Sequence, residues 1–330
     1  PARYDRPAPA ATSVADDGVG ARLGACSLPE PPADPSGATP AAGSDPAGPC
    51  WAALPPLPFA VQEIYPIAHN QRIHLAGGLL GEDGRVTGVS DRHIAYDPAN
   101  GAAETLAALP APRHHPQLVS VDGRLYCLGG FLTLANMVNW IMTRETMLYD
   151  EAASAWTPLA DALEPHADTV ATTIGGRIHL VGGRRNTGAD NMSYGDHTDS
   201  ASHLVYDVAA NAWERAAPAP TARNSAAGAL LDGAWHVAGG RTISGGPMDT
   251  HEVYDAQEDR WRTAAPLPEG VGAGGNAAGV IDGRLYAFGG EFFSGANGGG
   301  VHTEVCRYDP EADAWEIVGE MPTPRHGLGG

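Results

Sequence analysis

At 330 residues with a formal charge of −19, this chain is long enough for one large all-β domain or two ordinary ones. Its acidity argues against nucleic-acid or anionic-membrane partners, which need a basic face, and no stretch approaches the ~20 apolar residues of a membrane span. Glycine (43) and proline (28) make up about a fifth of the residues, a level that fits short strands joined by tight turns rather than a helical protein.

Residues 1–50 are dominated by Ala, Pro, Gly, Asp and Ser, as in PPADPSGATP. Such a run cannot bury enough apolar surface to offset its ordering entropy, so an irregular arm is expected over 1–50, ahead of a folded region at 51–330. Cys26 and Cys50 bracket its Pro-rich part. A disulfide between them is expected and would place the protein in an oxidising compartment, the periplasm or outside the cell. Pro1 is followed by no apolar signal core, so any targeting segment is expected to lie outside this chain. Cys127, in RLYCLGG, and Cys306, in EVCRYD, read as small buried hydrophobes inside strands.

From Trp51 onward the chain repeats itself. Gly pairs fall at Gly77-Gly78, Gly129-Gly130, Gly182-Gly183, Gly239-Gly240 and Gly289-Gly290, 50 to 57 residues apart, each after a short apolar run such as RIHLAGG or RLYCLGG. A Tyr-Asp pair follows each, at Tyr96-Asp97, Tyr149-Asp150, Tyr206-Asp207, Tyr254-Asp255 and Tyr308-Asp309. In four units a Trp comes six residues after the Asp: Trp156, Trp213, Trp261 and Trp315. Each unit reads as four short strands. The first turns at Asp122-Gly123, Gly175-Gly176, Asp232-Gly233 or Asp282-Gly283, pairs that suit a two-residue hairpin. The second ends on the Gly pair, where close backbone approach leaves no room for side chains.

Apolar run, double glycine, Tyr and Trp at these spacings resemble the kelch motif over 51–330. The resemblance implies an all-β propeller, in which stacked four-stranded blades bury the faces that one sheet alone exposes. Residues 50–58 read as a fourth strand with none before it, and MPTPRHGLGG reads as the start of another first strand. Six blades are therefore expected, the N-terminal strand lying beside the C-terminal end and the last blade incomplete by roughly 40 residues.

Strand parity sorts the loops. Turns after first and third strands are tight. Connections after second and fourth strands, including 79–92, 131–144, 184–201, 241–250 and 291–302, are long and share one face, where binding residues belong. Polar side chains concentrate there. Arg113, His114, Arg184, His197, Arg223, Arg241 and Arg325 are expected to converge near the channel mouth, His197 folding inward from its loop, with Glu63, Asp196, Glu291 or Glu304 close by. Arg144 starts a third strand on the same face. An Arg/His pocket suits an anionic or hydroxyl-rich ligand; the alternative is that each such residue bonds only neighbouring carbonyls. The apolar loop FLTLANMVNWIM (131–142) either caps the pocket, docks a partner or packs over an adjacent blade.

Asp196, His197 and Asp199 are ligand types for a divalent ion. Their spacing differs from the iron motif of plant nitrile-specifier kelch proteins, and the copper-site residues of galactose oxidase are missing, so neither metal nor cofactor is expected. Two functions stay open. One is a ligand- or protein-binding propeller with Arg113, Arg144, Arg184, Arg223, Arg241, Glu291 and Arg325 as binding residues. The other is an enzyme acting on a sugar or sugar acid, as in kelch proteins resembling sialic acid mutarotases, with His114, His197 or His326 as acid or base.

Overall fold

The computed structural model describes residues 51–82, 85–134, 137–244, 246–293 and 299–328. The arm at 1–50 and the Cys26–Cys50 pair lie outside the described residues. Five antiparallel blades follow one another, each with four strands in chain order, and in the third a short extra strand, His197–Asp199, also pairs with the second strand. Blade one comprises Ile67–His69, Arg72–Ala76, His93–Tyr96 and Ala103–Leu106, and blade two Gln117–Val121, Arg124–Leu128, Thr146–Asp150 and Ala155–Pro158. Blade three comprises Ala167–Ile174, Arg177–Asn186, His203–Asp207 and Ala212–Arg215, and blade four Ala227–Leu231, Ala234–Ala238, His251–Asp255 and Arg260–Thr263. Blade five comprises Ala277–Ile281, Arg284–Phe288, Glu304–Asp309 and Ala314–Glu320. A single turn of 3-10 helix, Tyr194–Asp196, is the one helical element among the described residues.

The first strands of successive blades pack side by side around a channel of about 270 Å³, lined by Ile67, Val119, Ala171, Ala229, Gly279 and Leu328 among others. The expected hairpins form: Asp122-Gly123, Gly175-Gly176, Asp232-Gly233 and Asp282-Gly283 all take positive φ at both positions, as a type I′ turn demands. Blade one does the same with Asn70-Gln71. The core lies between blades. Val119, Val121, Tyr126 and Leu128 of blade two, for example, bury against Ile178, Leu180, Leu204 and Tyr206 of blade three, each such side chain contributing about 1.5–3 kcal/mol.

The repeat residues clamp one blade to the next. In blade three, the Gly183 N–H donates to the Arg223 carbonyl at 2.9 Å, and a Cβ on Gly182 (φ +70°) would stand 2.7 Å from that same oxygen. Only glycine lets the next blade's entry come so close. On the outer side, Trp156, Trp213, Trp261 and Trp315 donate Nε1–H to the carbonyls of Ala107, Ala160, Ala217 and Ala265 in the preceding blade, at 3.0, 3.0, 2.8 and 3.1 Å. The Tyr hydroxyls donate to turn residues five positions on, Tyr254 to Asp259 at 2.8 Å and Tyr308 to Asp313 at 2.6 Å. Those carboxylates in turn accept the N–H of Ala217 and Ala265.

Blades one, three and four each bury a histidine pair: His74–His93 (3.0 Å), His179–His203 (2.9 Å) and His236–His251 (2.9 Å). His203 and His251 bond the Ala217 and Ala265 carbonyls through Nδ1. That fixes Nδ1–H on each, so their Nε2 atoms accept the partner's proton and both rings are neutral. Burial is the main cause pushing these imidazoles down, to about 3 for His93 and His236 and about 4 for His74, His179, His203 and His251.

Residues 51–60 differ from expectation in forming no ladder, since no neighbouring outer strand stands beside them among the described residues. Their placement nonetheless follows the repeat. Trp51 packs edge-on against Phe288 of blade five, ring centroids 6.3 Å apart. Pro55, four residues on, accepts the Tyr96 hydroxyl at 3.1 Å and abuts Gly101. That is where Ala217, four residues after Trp213, meets Tyr254's partner Asp259. At the inner side, the Leu328 N–H donates to the Gly275 carbonyl at 3.1 Å. The described chain thus forms five blades plus the inner and outer margins of a sixth position. Cys127 and Cys306 are free and buried.

Candidate functional site

The long-loop mouth of the channel is organised as rings. One residue at the entry of each innermost strand adopts a left-handed backbone: Glu63 (φ 55°), His115 (53°), Asp168 (57°), Ser225 (53°), Gly275 (66°) and, at the sixth position, Gly327 (62°). Neighbouring stations are joined through the backbone: His115 N–H to Glu63 O (3.0 Å), Ser225 N–H to Asp168 O (3.0 Å) and Gly275 N–H to Ser225 O (2.7 Å). A second ring is formed by the residue just before each station, Gln62, His114, Ala167, Asn224 and Gly274. Each pairs with the residue that follows the Gly pair of its blade, respectively Leu79, Phe131, Arg184, Arg241 and Glu291. Four non-glycine residues hold this costly conformation at one mouth, which makes it the candidate site.

The half of the mouth contributed by blades two and three is filled. Asp168 and Arg184 are both 0 % exposed and paired at 2.6 Å, and Asp168 also receives His115 Nε2 at 3.1 Å and the Tyr65 hydroxyl at 3.4 Å. Burial would raise the Asp168 carboxyl, but Arg184 and then His115 hold it below its ordinary value. The Arg184 guanidinium lies over the rings of Tyr194 (4.3 Å), Trp140 (4.9 Å) and Phe131 (5.6 Å). His114 stacks on Phe131 and donates from Nε2 to the Asn139 carbonyl at 2.8 Å. His197 stacks on the same ring. Burial pushes His114 down to about 3 and His197 down to about 4. The loop at 131–142 therefore packs inward through Phe131 and Trp140, while Leu134 and Met137 stay exposed.

The other half is open. Glycines occupy both rings at Gly274, Gly275 and Gly327, and the polar side chains beside them reach solvent: Glu63 (13 % exposed), Glu291 (14 %) and His326 (29 %). Glu63 takes His115 Nε2 at 2.8 Å on Oε2 and faces His326 Nε2 at 3.6 Å with Oε1. Glu291 is bonded by Arg241 on Oε1 and faces His326 Nε2 at 3.6 Å with Oε2. Burial would raise the Glu63 carboxyl, yet His115, His326 and Arg241 hold it far below the carboxylate range. Arg241 also donates through Nε to Asn224 Oδ1 at 3.2 Å.

The structure divides the residues singled out from sequence. His114, Arg184, His197, Arg241, Glu291 and His326 gather at the mouth, the first three in its buried half. Arg113 and Arg223 turn away into blade junctions. Arg113 donates to the Gly129 carbonyl and to Glu145 at 2.6 Å, and Arg223 to the Thr221 and Val237 carbonyls and to Glu252. Their side chains, two residues before a station, point back along the entry instead of into the channel. Arg325 stands at the equivalent position, is exposed, and contributes its carbonyl to the Gly290 N–H. Arg144 is exposed and lies 3.5 Å from Asp161. Asp196, His197 and Asp199 do not share a point. Asp196 accepts the Met192 and Ser193 N–H groups, His197 contacts Asn191, and Asp199 accepts from Asn224 and from the Ile243 N–H. The sequence reading does not single out Asp168 or Tyr65; aligning the strand entries on His115 indicates Asp168.

With the repeat geometry in place, the chain can be compared with known proteins. The Kelch motif model matches residues 273–322, which span blade five from its entry to its fourth strand. The fold is a β-propeller of kelch type. Kelch-like protein terF of Aspergillus terreus is 26 % identical over 284 residues, 84 % of this propeller chain and 61 % of that protein. Kelch-like protein 41a of Danio rerio is 28 % identical, matching 60 % of the chain and 30 % of its own length. The propeller chain thus spans less than two thirds of these relatives. N-acetylneuraminate epimerase of Pasteurella multocida is 26 % identical over 64 % of the chain and 68 % of its own length. The solved structure of YjhT superposes with a TM-score of 0.69 at 18 % identity, covering 83 % of this chain and 88 % of that one, a likeness of fold.

Proposed function

We propose that this propeller binds a small hydroxyl-rich ligand at the open half of its mouth, with Glu63, Glu291, Arg241 and His326 as the contacting side chains. The observation that carries this reading is the convergence of these four residues, from four successive ring positions, on a glycine-lined opening. Carboxylates beside a guanidinium and an imidazole accept from and donate to vicinal hydroxyls, which favours a small polar molecule over an apolar protein surface as the occupant. A periplasmic or secreted location belongs to the same proposal, through the expected Cys26–Cys50 disulfide.

A second reading, an enzyme acting on a sugar or sugar acid, is favoured by the likeness to N-acetylneuraminate epimerase over two thirds of that protein. In it His326 would be the proton-transfer group, because His114 and His197 are buried away from the opening. Glu63 would then act as an ionic anchor, since a carboxylate held far below the ordinary range is a weak base. Thermal-shift and calorimetric titration of the chain with neutral sugars, amino sugars and sugar acids tests both readings. The binding reading expects saturation by at least one class, weakened tenfold or more in Glu291→Gln. Epimerisation followed by NMR on any binder decides for the enzyme. Titration curves flat with every class, or unchanged in Glu291→Gln, would overturn the assignment of this mouth.

A further inference from the structure

We infer that Glu63, Glu291 and His326 form a site for one first-row divalent metal ion at the open half of the mouth. This extends the ligand-binding reading of the same opening without requiring the ligand. One donor atom from each of the three residues lies within 4.8 Å of the others. A cation held at about 2.0–2.2 Å from each needs donor atoms some 3–4 Å apart, and His326 Nε2 stands 3.6 Å from Oε1 of Glu63 and 3.6 Å from Oε2 of Glu291. That separation is too long for a hydrogen bond. The imidazole therefore faces both carboxylates without bonding either, as donors around a shared point do.

The supporting contacts have the form that holds ligands in place. Each carboxylate has its other oxygen taken by a cationic or donor side chain: Glu63 Oε2 by His115 and Glu291 Oε1 by Arg241. His115 is in turn held by the buried Asp168 at 3.1 Å. Such outer partners fix a ligand's orientation and its free lone pairs. The three residues come from blade five and the entries to the sixth position and blade one, so their separation is set by the ring and not by one mobile loop. Gly327 is part of the fit, because a Cβ there would lie 2.9 Å from the Glu63 carboxylate and displace it.

Chemistry selects the ion. One imidazole nitrogen with two carboxylate oxygens suits Mn²⁺, Co²⁺ or Zn²⁺ better than Mg²⁺ or Ca²⁺, which prefer all-oxygen sets. The two carboxylates balance the dication's charge, while Arg241, bonded to Glu291, moderates its affinity. Coordination positions not filled by protein face the opening, where water or a ligand hydroxyl completes the shell.

The test is titration of chelator-treated full chain with Co²⁺, read by visible d–d absorption, and with Zn²⁺, read by calorimetry. One equivalent should bind to the wild type. His326→Gln and Glu291→Gln should bind at least tenfold more weakly, with far-UV CD and metal-free melting matching the wild type. His326 is the most exposed of the three, so its variant carries the comparison should Glu291→Gln fail to fold. The inference is overturned if the wild type shows no saturable Co²⁺ spectrum, or if His326→Gln binds as well as the wild type. Sugar binding that survives chelation, with no Co²⁺ band, removes the ion site alone. A Co²⁺ band with no sugar binding removes the ligand reading alone.

Discussion

Replacing Asp168 by Asn isolates the buried ion pair at the mouth. Asparagine tolerates the left-handed backbone at this station and keeps the side-chain shape, so the change removes charge and little else. It strands the Arg184 guanidinium, fully buried, without the carboxylate 2.6 Å away. Breaking a buried pair from one side costs about 3–5 kcal/mol. The rings of Tyr194 and Trp140, 4.3 and 4.9 Å from the guanidinium carbon, offset about 0.5–2 kcal/mol of that. The net loss should be roughly 2–4 kcal/mol, a melting point lower by about 5–15 °C. Urea unfolding followed by Trp fluorescence and far-UV CD measures it. The double variant Asp168→Asn/Arg184→Met should recover much of the loss, because an apolar side chain no longer needs a counter-charge. A single variant within about 1 kcal/mol of wild type, or a double variant no better than the single, would refute the argument.

The buried histidine pairs give the fold an acid limit. Their imidazoles titrate below the unfolded value of 6.5, so the folded state binds fewer protons there; their contribution is complete above pH 6.5 and is lost as pH falls toward 4. The urea midpoint should drop steeply between pH 6 and 4, and a flat midpoint over that range would contradict the neutral pairs. Gly182→Ala should destabilise by more than about 2 kcal/mol through the carbonyl it meets and its positive φ, whereas Gly188→Ala, whose Cβ would meet nothing within 4 Å, should be close to neutral in the same assay. Arg223→Ala should lower the melting point and leave ligand affinity in the folded fraction unchanged, because its partners are Glu252 and backbone carbonyls. Cys127 and Cys306, pushed up to about 11 and about 12 by burial, should resist alkylation until the chain unfolds, as peptide mass mapping would show.

The architecture was legible because the residues that build it recur. A Gly pair matters for what it lacks, a Tyr and a Trp for one bond each, and five copies make those requirements visible. The site is legible only in part, since its chemistry differs at every station. Arg184 and Arg113 look alike in sequence, yet one follows a Gly pair and enters the mouth while the other precedes a station and bonds a junction carbonyl. Asp168 lies in HADTVATT, a string with no motif, and is recognisable only once its left-handed backbone places it level with His115. The outer segment at 50–58 reads as a strand from its spacing. Its spacing does locate it, through Trp51 and Pro55, but a ladder also needs a neighbour.

The backbone ring at the mouth has a consequence for how such a molecule diversifies. Three neighbouring pairs of stations are tied by N–H and carbonyl groups that every residue carries, so those ties are indifferent to the side chain mounted on them. Glu63, His115, Asp168, Ser225 and the two glycines are six stations at one mouth, three of their neighbouring pairs tied through the backbone. Exchanging the side chain at one station alters what the opening can hold and leaves those backbone ties in place. New specificities are therefore reached by exchanging the side-chain-bearing stations, while Gly275 and Gly327, where a Cβ would meet backbone or the Glu63 carboxylate within 3 Å, keep the opening clear.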